Sequence, residues 1–81
     1  MHRWINDEVK IDFEIPKSLY NVIDELERCD REEDYGYWDW ADALDVGAKE
    51  YVRQGKLTEK QWATLCRKYD GVIDNVERKN L

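Results

Sequence analysis

Asp39, Asp42 and Asp45 recur every third residue, and carboxylates so spaced could hold a divalent cation or imitate a row of phosphates. On a helix they share the polar side, where a solvated face is the plainer reading. A calcium loop of the EF-hand type needs oxygen ligands at fixed spacing around a glycine, and no stretch has them. Gly36, Gly47, Gly55 and Gly71 stand apart, so no glycine loop cradles a phosphate. The one histidine, His2, lacks a second histidine or a cysteine pair at zinc-ligand spacing. Ser18 has no base nearby in sequence and suits a helix start after Pro16. Cys29 and Cys66 form no paired motif and lie on apolar stripes, which reads as reduced, buried thiols. A disulfide between two helices is the alternative. No enzymatic activity, metal or cofactor is expected.

Recognition is better supported than reaction. The net charge of −6 is concentrated, because residues 1–34 hold eleven acids against five bases, whereas residues 35–81 balance at eight of each. An acidic segment repels a phosphate backbone and attracts a basic surface. Trp38 lies about 120° around the helical wheel from Leu44, among Asp42, Asp45 and Lys49, so its indole falls on the charged face. An exposed tryptophan flanked by charge is a common interface anchor. The candidate binding residues are Asp30, Glu32, Glu33, Asp34, Tyr35, Trp38, Asp42 and Asp45. The opposing reading of Trp38 is a ring at the helix start that folds back onto the core. Trp40, Tyr51, Trp62 and Tyr69 are assigned to the core.

These residues need elements to hold them. Val9, Ile11, Phe13 and Ile15 alternate with Lys10, Asp12 and Glu14, a period of two that predicts a strand over 9–15. Pro16 stops it and suits the first turn of a helix. Leu19, Val22, Ile23, Leu26 and Cys29 then carry a first helix from about Lys17 to Cys29, ending in the acidic run 30–36. A second helix runs from Tyr37 to Gln54, with Tyr37, Trp40, Ala41, Leu44, Ala48 and Tyr51 on one face and Gly55 as a left-handed stop. Thr58 and Gln61 fit a capping box that opens a third helix from Glu59 to about Arg78, bent near Gly71. The fold class expected is mainly α: a three-helix small domain, 1–81, with one short N-terminal β-strand. A lone strand leaves both edges unpaired, which makes a homodimer through residues 9–15 an open expectation.

Two other readings compete. Arg53, Lys56, Lys60, Arg67 and Lys68 face Glu59 alone, and the second and third helices resemble a helix-turn-helix in outline. The acids of the first helix oppose that phosphate field, so direct nucleic-acid binding is the lesser reading. A homo-oligomeric structural protein is the other. No apolar run approaches the roughly 20 residues of a membrane span, and the polar N-terminus carries no signal-peptide core. No membrane partner and a cytoplasmic location are expected.

The run Ile15-Pro-Lys-Ser-Leu-Tyr-Asn-Val-Ile-Asp-Glu-Leu-Glu27 continues through Tyr37 to Tyr51. It ends with Gly55-Lys-Leu-Thr-Glu-Lys-Gln-Trp-Ala-Thr-Leu-Cys-Arg-Lys-Tyr69. This order resembles the small acidic accessory proteins of bacterial phages and integrative elements over about two-thirds of the chain. The matching patterns are helix-forming ones, so the resemblance carries over no functional residue, and residues 1–14 lie outside it. It implies an inhibitor of host defence, anti-CRISPR proteins included, that binds a nucleic-acid-handling protein through an acidic surface.

Overall fold

The computed structural model describes residues 4–70. At Pro16, which has no N–H to donate, the chain enters a single 3-10 turn, Lys17–Leu19, that runs directly into helix α1, Tyr20–Glu32. Leu19 of the turn and Ile23, Leu26 and Cys29 of the helix form one buried stripe. The helix ends at Glu33, whose φ of 56° is left-handed, while the Asp34 N–H donates to the Cys29 carbonyl at 2.9 Å. That is a Schellman closure with glutamate where glycine is usual.

Helix α2, Tyr37–Arg53, buries Tyr37, Leu44 and Ala48, with Trp40, Ala41 and Tyr51 partly buried beside them. These six residues are the face expected from the sequence. Gly55, at φ 79°, provides the left-handed reversal after it. Helix α3, Glu59–Tyr69, opens with the expected capping box: Thr58 Oγ1 accepts from the Gln61 N–H and Gln61 Oε1 accepts from the Thr58 N–H, both at 3.0 Å. The expected continuation to Arg78 lies outside the described residues. Helix α2 packs against both α1 and α3. No helix among the described residues is long and apolar enough to cross a membrane.

The N-terminal segment corrects the expected strand. Residues 9–15 are described and form no strand, and no other strand occurs among the described residues. The alternation nevertheless survives in burial. Val9 is buried, Ile11, Phe13 and Ile15 pack partly buried against the core, and Lys10, Asp12 and Glu14 are exposed. Here a period of two reports which side faces the helices, not backbone pairing. The case for a homodimer starts from an unpaired strand, and with no strand present that premise no longer applies.

Candidate functional site

Helix order brings the end of α1, the start of α2 and the end of α3 to one end of the molecule, and the N-terminal segment ties them together. Asp30 is the fastening. It is 1% exposed, and its Oδ2 accepts the backbone N–H groups of Trp4 at 3.0 Å and Ile5 at 2.9 Å. Charge-assisted bonds of this kind are the stronger class, and they satisfy two donors that would otherwise be buried unpaired. On the far side, Asn6 N–H donates to the Lys68 carbonyl at 2.8 Å, and Lys68 Nζ donates to the carbonyls of Val9 at 2.8 Å and Asn6 at 3.2 Å. Between these ties the Tyr37 hydroxyl donates to the Tyr69 carbonyl at 2.8 Å, joining α2 to α3 in the core.

Upon this frame sits a group of aromatic rings. The Trp4 ring centroid lies 5.0 Å from Tyr37, 5.5 Å from Trp38 and 5.9 Å from Tyr35, and Tyr37 meets Trp38 edge-on at 5.1 Å. All four distances fall within the range for favourable tilted or edge-to-face contact. Tyr37 is fully buried, but Trp38 is 38% exposed and Tyr35 76% exposed. The outer two rings are thus backed by rigid inner ones and present apolar surface to solvent. The Trp38 exposure agrees with the helical wheel.

The acids are only partly free. Arg28 reaches Glu25 at 2.8 Å, Glu32 at 3.2 Å and Asp34 at 3.4 Å, binding the acidic run into one network. Asp34 Oδ1 also accepts the Gly36 N–H at 2.8 Å, shaping the turn. That bond, and secondarily Arg28, holds the Asp34 carboxyl below its ordinary value. Asp39 and Asp42 are exposed and form no ion pair among the described residues. Of the expected binding residues, Glu32, Glu33, Asp34, Tyr35, Trp38 and Asp42 are exposed. Asp30 is a correction, because it points inward to fasten the N-terminus and contributes no outer surface.

Asp45 has an internal duty as well. Its Oδ1 accepts the Trp62 indole N–H at 2.8 Å and the Cys66 thiol at 3.5 Å. Burial, and then Asp45, push the Cys66 thiol up to about 12. It is therefore a neutral thiol at physiological pH, and native protein at pH 8 should resist iodoacetamide at Cys66 until it unfolds. Mass-spectrometric counting of alkylated thiols checks this. The sign for stability follows. A thiol whose folded value lies above the unfolded one favours the fold fully below about pH 9, and that contribution is lost as pH rises from 9 through 12.

Beside Trp38 lies a groove of about 360 Å³ whose lining includes Ala41, Asp42, Asp45 and Cys66. No three metal-capable side chains converge among the described residues. The basic residues from the end of α2 through α3 are in part committed elsewhere: Lys68 to the N-terminal carbonyls, Arg53 to Glu50 at 3.5 Å, and Lys56 over the Tyr51 ring. No family model, curated protein or solved structure matches this chain.

Sequence reasoning missed Trp4 and placed Asp30 on the outer surface when it is buried. A lone tryptophan near a terminus leaves no periodic signal. Asp30 did leave one, for it continues the spacing of Leu19, Ile23 and Leu26 on the buried side of α1.

Proposed function

We propose that this protein is a binding module that occupies a basic surface of a partner protein, using the turn between α1 and α2 and the start of α2. The observation that carries this reading is the pair of exposed rings, Tyr35 and Trp38, seated on buried Trp4 and Tyr37, with the exposed acids Glu32, Glu33, Asp34, Asp39 and Asp42 close to them in sequence. Rigid aromatic anchors lose little entropy on binding, and a neighbourhood with more acids than bases speeds and orients the encounter. The resemblance of residues 15–69 to phage accessory proteins points to a bacterial nucleic-acid-handling or defence protein as the partner, and to inhibition by occupancy. Affinity for the captured partner should fall as salt rises toward about 0.5 M, where the Debye length is a few ångströms. Salt-independent binding would remove the acids from the mechanism.

Glu33 offers an independent check. A left-handed residue other than glycine is strained, so Glu33→Gly should raise stability by about 0.5–1 kcal/mol in urea melts. If the glutamate is there to meet a basic partner, the same substitution weakens binding. A variant that is more stable and binds equally well would remove Glu33 from the surface.

A further inference from the structure

The groove beside Trp38 differs from the turn surface, where Arg28 sits among the acids, in its lack of a basic side chain among the described residues. Asp42 and Asp45 supply two carboxylates, Trp38 and Tyr69 supply aromatic surface, and no Lys, Arg or His lines it among the described residues. Asp45 is asymmetric. Both of its bonds use Oδ1, and since no buried side-chain oxygen lacks a partner, its Oδ2 is open to solvent. The opposite wall, formed by α3 at Cys66 and Tyr69, is held to α2 by the Cys66 and Tyr37 bonds, so the groove is preformed. Its volume, about 360 Å³, is at the lower end of the roughly 300–1,000 Å³ typical of small-ligand pockets.

We infer that this groove takes an arginine side chain of the partner protein, its guanidinium held between the Trp38 indole and the carboxylates of Asp42 and Asp45. This inference builds on the proposed binding role and names the partner group it receives. The argument is charge complementarity joined to ring geometry. A cation above an indole is attracted by the ring quadrupole, and partial desolvation strengthens that attraction. A planar guanidinium can stack and also donate to two carboxylates, whereas an ammonium is more strongly hydrated and cannot stack.

The test is a titration of the full ¹⁵N-labelled chain with the peptide acetyl-Gly-Arg-Gly-amide, followed by two-dimensional NMR. A lysine counterpart is run beside it. The expected result is a saturating shift of the Trp38 indole N–H and the Cys66 amide. The lysine peptide should bind at least about threefold more weakly, and Asp42→Asn, at an exposed position, should weaken the arginine peptide by a similar factor. An equal response to both peptides would overturn the arginine assignment. Shifts at Glu33 and Tyr35 with none at Cys66 would overturn the groove while leaving the turn surface standing as the binding site. A Trp38 shift produced by Arg78→Gln without peptide would assign the cation to the chain itself and also overturn the inference.

Discussion

Asp30→Ala will melt about 10–20 °C below the parent chain, a loss of about 2–4 kcal/mol. Two backbone donors, at Trp4 and Ile5, lose a carboxylate that accepts both within 3.0 Å. Each donor left buried and unpaired costs roughly 1–3 kcal/mol. The chain can limit that cost by releasing the N-terminus to water, but release uncovers Trp4 and Ile5, both buried in the core. Either route is expensive, and the cheaper one sets the observed value. Release would also move the tryptophan emission to longer wavelength before global unfolding. Asp30→Asn keeps one acceptor oxygen and should lose about half as much. Thermal melts followed by circular dichroism check both, and a loss under about 0.5 kcal/mol for Asp30→Ala would show that the fastening contributes little.

Tyr37→Ala will cost about 3–5 kcal/mol, the range for deleting a large buried aromatic. The ring is fully buried, packs against Trp4 and Trp38, and carries the hydroxyl that joins α2 to α3. A domain of this length has only about 4–12 kcal/mol of stability in total, so the variant should be substantially unfolded in moderate urea. Tyr37→Phe separates the two contributions. It keeps the ring, loses the bond to the Tyr69 carbonyl, and should cost about 1 kcal/mol with an unchanged urea slope. A Phe variant as unstable as the Ala variant would mean that the hydroxyl, not the packing, holds this end together.

Local signals carried most of the fold. Helical spacing placed α1 and α2 within a few residues of their ends, and the Gly55 reversal and the Thr58–Gln61 capping box appear where their chemistry requires them. These features depend on residues within one or two turns of each other. What escaped depends on long-range partners. Alternation over 9–15 correctly indicated which residues face inward, yet strand pairing needs a neighbouring strand, and none forms among the described residues. Composition counted Asp30 as surface charge, although its place in line with Leu26 and Ile23 put it on the buried side of α1. The Trp38 exposure was legible because it follows from helix phase alone. Its seat on Trp4 was not, since residues 4 and 38 meet only in the folded chain.

The most direct test of the central claim is quantitative affinity capture from a bacterial lysate, comparing the parent chain with Tyr35→Ala/Trp38→Ala. Tyr35 is largely exposed and Trp38 partly so, and the double variant should keep the parent helix content and a cooperative thermal melt, verified before capture. The parent chain is expected to retain a basic protein that about 0.5 M salt releases, and the double variant to retain at least about tenfold less of it, since buried aromatic anchors carry upwards of about 1.4 kcal/mol. Equal retention by both, or retention of no protein by either, would contradict the account.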